Sequence, residues 1–348
     1  MIAINTALHI AKSGNHVTVL SLFSKKNTIL DSFAEKNGIN VIYLNKKIGI
    51  DLSIIKPIRK VIQFIKPGVI HTHLNVVSYV IFASPLKMVK FHTVHNVATK
   101  ECHGLERLIM RFAYRFCGFR PVAISPLCAT TIESLYHIKA SRIPVIFNGV
   151  DTRHFKPSYI PHNTIRFINI GRLNPQKNQR LLISAFSIVN RTIPNTSLEI
   201  IGEGYLRKDL EKYIKELKLS NVVFLSGETS NIVEKLNSGD VFVISSDYEG
   251  LPVSLLEACS CGLPVVSTRA GGVVDVVREG ENGYLVPVND INELAEKMIR
   301  LAQKKSLRKA MGEKSRELAK GFDIEECSKR YQKLYYAASR LNQAKKVF

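Results

Sequence analysis

Ile165-Arg166-Phe167-Ile168-Asn169-Ile170-Gly171-Arg172-Leu173-Asn174-Pro175-Gln176-Lys177-Asn178 is the stretch on which the fold turns. The apolar run at 165–170 predicts a buried strand, and Gly171 permits a tight exit. The next segment, 179–190, has apolar residues at helical spacing. Strand, turn and helix then recur. Strands are expected at 198–201, 222–225, 241–245 and 264–267. Helices are expected at 205–217 and 251–259, and residues 291–341 read as mostly helical. Strands alternating with helices at this spacing predict a parallel sheet covered on both faces.

The same alternation runs upstream. Helices are expected at 5–12, 29–36, 54–65, 104–117 and 127–136. Strands are expected at 17–23, 40–44, 69–73, 88–94, 121–124 and 143–147. Residues 148–163, rich in prolines and polar side chains, interrupt the pattern and read as a linker. The expected division is a first domain at 1–152, a second at 153–325, and a helix at 326–348 packing back toward the first domain. Two doubly wound domains in series predict a ligand crevice at the carboxyl ends of their strands.

The 348 residues, 45% apolar, suffice for two cores. The longest stretch without formal charge, 67–86, contains two histidines, an asparagine and a proline, which suits a strand followed by another element better than a membrane span. The N-terminus shows no signal-peptide pattern. Six cysteines fit neither a zinc framework nor a small disulfide scaffold, which predicts reduced thiols and a cytoplasmic protein. The net charge is +20. Residues 1–152 hold 19 Lys and Arg against 7 Asp and Glu, so the excess is denser in the first half. Such a field favours an anionic partner. No nucleic-acid motif accompanies it, and nucleic acid is not expected as a partner.

Three strand exits carry the chemistry. After the 241–245 strand come Ser246-Asp247-Tyr248-Glu249-Gly250-Leu251-Pro252 and, two helical turns on, Glu257. A loop opening a helix offers backbone N–H groups to phosphate or sugar oxygens. A glutamate among Leu251, Leu255 and Ala258 needs a partner. At the 165–170 exit, Arg172 and Lys177 bracket the turn, and two cations there can neutralise a diphosphate. At the 198–201 exit, Gly202-Glu203-Gly204 places glycines where a ligand can approach the backbone.

These features, in this order and spacing, resemble the large retaining glycosyltransferase family four over nearly the whole chain. Further matching pieces are His95-Asn96, Ala123-Ile124-Ser125, Asn148-Gly149-Val150-Asp151, Gly239-Asp240-Val241-Phe242, Gly262-Leu263-Pro264-Val265-Val266, Gly271-Gly272 and Glu281-Asn282-Gly283-Tyr284-Leu285-Val286. The resemblance implies an α/β fold of the GT-B type, two Rossmann-like doubly wound domains facing a central cleft. It implies no cofactor, but a nucleoside diphosphate sugar donor, UDP- or GDP-linked, and a glycan or polyprenyl-linked acceptor in surface polysaccharide biosynthesis. Arg172 and Lys177 resemble the pair that holds the donor diphosphate, in place of a metal. Glu257 resembles the carboxylate that accepts the ribose hydroxyls, and Glu249 the one that positions the transferred sugar. Gly250, Leu251 and Pro252 would offer backbone groups. Gly202, Glu203 and Gly204 would line the nucleotide pocket, and His95 would sit near the donor sugar. Ser125 and Asn148 would support the cleft.

The family pattern opens with a strand and a glycine-rich turn before the first helix. This sequence begins at that helix, so the first domain is expected to be incomplete at its start. Two alternatives follow: a remnant that binds nucleotide without transfer, and a sugar-nucleotide epimerase of the same architecture, which would release free epimerised donor. His71, His73, His92 and His95 show no third-ligand spacing for a metal. The 104–118 helix carries Arg107, Arg111 and Arg115 four apart, with Leu108, Ile109, Phe112 and Phe116 on another face. It predicts either peripheral docking on an anionic membrane, at its inner face, or ordinary packing on the sheet. Glu249→Ala or Lys177→Ala is expected to abolish transfer and leave the melting unchanged.

Overall fold

The computed structural model describes residues 2–158 and 160–344, without the side chains of Ile29 and of residues 341–344. Tyr159, within the expected linker, and residues 345–348 of the expected last helix lie outside the described residues. The chain forms two units. One runs up to Gly149 and resumes at Ile324, and the other is Val150–Asp323.

In the first unit the elements run α1 (Ile2–Lys12), β1 (Thr18–Ser21), α2 (Ile29–Lys36), β2 (Asn40–Tyr43), α3 (Ile55–Ile65), β3 (Val69–His73) and α4 (Val77–Ala83). They continue through β4 (Val89–Val94), α5 (Ala98–Glu101), α6 (Gly104–Phe116), β5 (Phe119–Ala123) and α7 (Pro126–Tyr136). The strands are parallel but fall into two sheets, β1-β2 and β3-β4-β5, not one. Among the described residues β1 and β3 each have a neighbour on one side only.

Alternating side chains of these strands meet different helices. Val19 and Val41 pack with α1 and α2, whereas Leu20, Leu22 and Ile70 pack with α3 and α4. Val94 and Ala123 join α4, α6 and α7. Val89, Phe91 and Val122 instead meet Cys327 and Tyr331 of the last helix, α14 (Ile324–Ala344). Gly149 allows α14 to start beside it, since a Cβ there would fall 2.7 Å from the Ile324 Cα. Ser125 caps α7 by accepting the Cys128 N–H, with Pro126 in the first turn.

The second unit runs β6 (Ile165–Ile170), α8 (Gln179–Thr192), β7 (Thr196–Ile201), α9 (Arg207–Glu216), β8 (Val223–Gly227), α10 (Ile232–Asn237) and β9 (Val241–Ile244). It continues through α11 (Val253–Ser260), β10 (Val265–Thr268), β11 (Gly283–Val286), α12 (Ile291–Gln303) and α13 (Lys305–Ala319). Its six parallel strands lie in the order β11-β10-β9-β6-β7-β8. Counted within the unit this is 3-2-1-4-5-6 read from the other edge, the doubly wound order whose direction reverses between the first and fourth strands. Here the reversal falls between β6 and β9. Asn169 spans it, donating its side-chain N–H to the Val243 carbonyl at 2.8 Å. β9 and β10 are buried throughout, as strands covered on both faces must be.

Three expectations change. Residues 143–147 form no strand. Val145 makes a single parallel bridge to Ala123, because Pro144 has no N–H to extend the ladder. Helix α11 begins at Val253, not Leu251, because Pro252 stands extended as its N-cap and a residue before proline is biased away from helix. The 281–286 motif contains a strand, β11, at the sheet edge.

Candidate functional site

The carboxyl ends of β6 and β9 are joined by side chains of the two loops that leave them. After β6, Asn174 accepts the Lys177 N–H at 3.2 Å and closes a short 3-10 turn over Pro175–Lys177. Asn178 then takes a left-handed backbone, φ 45°, and caps α8 through the Leu181 N–H. Its side chain also donates to Asp247 at 2.8 Å and to Asn289 at 2.9 Å. The Asp247 N–H donates to the Gln176 carbonyl, Gln176 donates to the Tyr248 carbonyl, and Ser245 donates to the Lys177 carbonyl. The two loops are therefore one hydrogen-bonded body.

Glu249 sits at the centre of this body and is buried. Lys177 Nζ lies 2.5 Å from its Oε1, Ser246 donates to the same oxygen at 2.6 Å, and Gln176 Nε2 is 3.5 Å from Oε2. Ser246 is itself fixed, because Thr268 of β10 donates to its carbonyl at 2.6 Å. The β10 exit closes on the same loop. Gly271 has φ 61°, and a Cβ there would lie 1.7 Å from the Glu249 carbonyl oxygen. This arrangement corrects one expectation. A buried carboxylate holding an ammonium and a hydroxyl is structural as well as chemical, so Glu249→Ala leaves unsatisfied partners and lowers stability.

Arg172 is exposed, and its side chain makes no hydrogen bond or ion pair with the described residues. An exposed guanidinium in the same loop as an ammonium already fixed in direction suits an incoming anion. Glu257 lies on α11. Ser254, three residues earlier on the same helix face, donates to the Ile170 carbonyl at the end of β6. Glu257 is partly buried and has no hydrogen-bond or ion-pair partner among the described residues. Burial pushes its carboxyl up to about 7. The first turn of α11 has no side-chain cap, so its N–H groups face the same loop body uncapped by a side chain.

The glycines after β7 let the protein's own backbone approach closely. Gly202 has φ 141°, and a Cβ there would fall 2.1 Å from the Gly171 carbonyl oxygen. A Cβ on Gly204 would fall 2.2 Å from the Leu173 carbonyl oxygen. The Leu173 N–H donates to the Glu203 carbonyl, so the β6 and β7 exits lie against each other. The Glu203 side chain pairs with Arg207 at 2.7 Å in an exposed ion pair, and among the described residues it makes no hydrogen bond to the Lys177–Glu249 group.

His95 belongs to the first unit. Its Nε2 lies 2.9 Å from the Nδ1 of His73, with one proton between them. The His73 ring stacks 4.4 Å from His71, which bonds Tyr335 of α14 and, at 2.7 Å, Thr93. Burial holds His95 down to about 4 and His71 down to about 3, so both rings are neutral at pH 7. On the opposite face of β4, His92 bonds Thr72 and faces Glu101 at 3.9 Å. Among the described residues no three His, Cys, Asp or Glu side chains are placed to share a metal ion.

The Glycosyltransferase Family 4 model matches residues 2–154, and the Glycosyl transferases group 1 model matches residues 150–318. The chain belongs to the family-four glycosyltransferases. Its fold is GT-B, with two Rossmann-like domains. The family-four chain is 30% identical over 258 residues, 67% of its length, to the UDP-Gal:alpha-D-GlcNAc-diphosphoundecaprenol alpha-1,3-galactosyltransferase of Escherichia coli. It is 28% identical over 208 residues, 57% of its length, to the N-acetyl-alpha-D-glucosaminyl L-malate synthase of Bacillus anthracis. The matched regions span 65% and 54% of those two proteins. The structure of Anabaena HepE in complex with UDP superposes with a TM-score of 0.82 at 21% identity, covering 96% of both chains. A glycosyltransferase from Rickettsia africae superposes at 0.81 and 19% identity, covering 96% of this chain and 93% of that one.

Within this family-four chain, Lys177, Glu249, Gly250, Leu251 and Pro252 lie in one loop body at the β6–β9 reversal, and Arg172 belongs to the loop that leaves β6. Gly202, Glu203 and Gly204 lie at the neighbouring β7 exit. Sequence reasoning assigned no role to Ser246, Gln176, Asn178 or Thr268, which hold Lys177 and Glu249 in place. All four are common polar residues; Gln176, Asn178 and Thr268 reach partners some 22 to 111 positions away, so only the fold reveals them, while Ser246 reaches Glu249 three positions on.

Proposed function

We propose that this family-four glycosyltransferase moves a sugar from a nucleoside diphosphate sugar, uridine- or guanosine-linked, to a glycan or lipid-linked acceptor with retention and without a divalent metal. The observation that carries the reading is the Lys177–Glu249 pair at the strand-order reversal, with the unpartnered Arg172 in the same loop as Lys177. A departing diphosphate develops negative charge, and fixed cations at that point stabilise the transition state more than the ground state. The bond from the anomeric carbon to the phosphate oxygen breaks, the acceptor hydroxyl oxygen bonds that carbon on the face being vacated, and the acceptor proton passes to the phosphate. Arg172 and Lys177 hold the diphosphate, the Gly250–Leu251–Pro252 backbone and the α11 N-terminus hold the sugar and phosphate oxygens, and Glu257 accepts the ribose hydroxyls. Glu249 fixes Lys177 and the sugar, and His95 is the first-unit residue assigned to the donor sugar.

The acceptor reading draws on the Escherichia coli relative, whose name gives a diphosphoundecaprenol-linked sugar. It fits a role in surface polysaccharide assembly at the cytoplasmic face of a membrane, with helix 104–118 as the contact. The test is turnover of UDP- and GDP-sugars with a polyprenyl-diphosphate-linked acceptor in the presence of a chelator, with the product anomer read by NMR. A retained glycoside, lost roughly a hundredfold in Lys177→Ala, is expected. Nucleotide binding without transfer, an inverted product, or dependence on added metal would overturn the reading.

A further inference from the structure

α3, α4 and α6 lie on one side of the first unit and bury one flank each. Ile58 and Ile62 of α3 pack with Tyr79 and Ala83 of α4. Val77, Val80 and Ile81 of α4 pack with Met110, Ala113 and Cys117 of α6. The opposite flanks carry large apolar side chains that this packing leaves in solvent. Phe64, Phe82, Leu86, Leu108, Phe112 and Phe116 each expose more than half of their surface. Exposed large apolar side chains in this number mark an interaction site. Of the α6 apolar stripe, Ile109 packs against the core, whereas Leu108, Phe112 and Phe116 stand outside it.

The three helices are tied where those side chains emerge. Arg59 of α3 donates to the Phe82 carbonyl at the end of α4, at 2.6 Å. The Leu86 carbonyl lies 3.1 Å from where a Gly118 Cβ would stand, just past Phe116. Lys90 anchors that turn by donating to the Pro85 carbonyl at 2.6 Å. The segment is also strongly basic. Residues 52–118 contain ten Lys and Arg against two Glu. Lys56, Arg59, Lys60, Lys66, Arg111 and Arg115 are exposed among the apolar side chains. Aromatic side chains interleaved with cations match the headgroup boundary of an anionic bilayer, where the rings enter the acyl edge and the cations meet phosphates. A protein interface would deplete lysine at its core instead.

We propose that the outer flanks of α3, α4 and α6 form one docking surface for anionic phospholipid membranes, with Phe64 and Phe82 entering the bilayer alongside Phe112 and Phe116. The surface rests on the reading of a lipid-linked acceptor and widens the contact from one helix to three.

The chain contains no tryptophan, so single reporters are free of background. Phe64→Trp, Phe82→Trp, Phe112→Trp and, as a control on the second unit, Phe224→Trp are mixed with vesicles of brominated phosphatidylglycerol or brominated phosphatidylcholine. Quenching at 64, 82 and 112 with phosphatidylglycerol, weak with phosphatidylcholine, absent at 224 and reduced by salt is the expected result. Lys60→Glu with Lys66→Glu should weaken vesicle binding by roughly tenfold or more and leave UDP affinity unchanged. Quenching at 112 alone overturns the three-helix surface and leaves the single-helix contact. No quenching anywhere, or a concentration-dependent dimer that blue-shifts the reporters without lipid, overturns both. Quenching with no UDP binding would sink the transferase reading and leave the surface standing.

Discussion

Replacing Glu257 by glutamine should stabilise the unliganded protein at alkaline pH while weakening its hold on nucleotide. Burial lifts the Glu257 carboxyl from 4.5 to about 7. The folded chain therefore holds this proton more tightly than the unfolded chain. The resulting stability is fully present below pH 4.5 and is lost as pH rises through 7. At about 1.4 kcal/mol per unit, the ionised side chain costs roughly 3 kcal/mol by pH 8. Glutamine removes that cost, so Glu257→Gln should match the parent near pH 4.5 and melt roughly 6–12 °C higher at pH 8 for a unit of this size. Differential scanning calorimetry of the full chain across that range reads the change on the transition of the second unit. Glu101 is also raised to about 7, but it is common to both proteins and cancels. UDP affinity should fall roughly tenfold to a hundredfold at pH 8, because the variant cannot make charge-assisted bonds to two hydroxyls. A melting difference that does not change with pH, or unchanged UDP affinity, would refute the reasoning.

Glu249→Ala should abolish transfer and also lower stability by about 2–3 kcal/mol, because it strands Lys177 and Ser246. Urea unfolding of the variant checks this, and a midpoint equal to that of the parent would show the pair to be weak. Gly202→Ala should destabilise by about 3 kcal/mol or more, since its Cβ would meet the Gly171 carbonyl at 2.1 Å. Gly280→Ala, with φ 76° and nothing within 4 Å, should cost only about 1 kcal/mol; equal losses in the two variants would remove the steric argument.

The second unit was legible because its strands are short apolar runs separated by glycine exits, such as Ile170-Gly171. Its register and order were not, since β6 and β9 meet across more than seventy residues. Pairs that stand close in sequence, such as Arg172 with Lys177, could be read as a unit. Lys177 with Glu249 could only be joined by resemblance until β6 and β9 were seen side by side. The glycines of Gly202-Glu203-Gly204 also pack backbone against backbone, which leaves the same sequence signature as backbone approaching ligand. On α6, periodicity placed the arginines and the apolar residues on different faces, whereas Arg111 and Arg115 stand exposed alongside Phe112 and Phe116. It did not tell which apolar flank packs inward, since Met110, Ala113 and Cys117 are smaller or less apolar than the exposed phenylalanines.

The central claim is that the β6 and β9 exits grip a diphosphate. Titration calorimetry of UDP and of uridine into the parent and into Arg172→Ala with Lys177→Ala tests it most directly. UDP affinity should drop by roughly a hundredfold in the double variant, while the weak binding of uridine stays the same. An equal loss for both ligands, or no loss for UDP, would contradict the account.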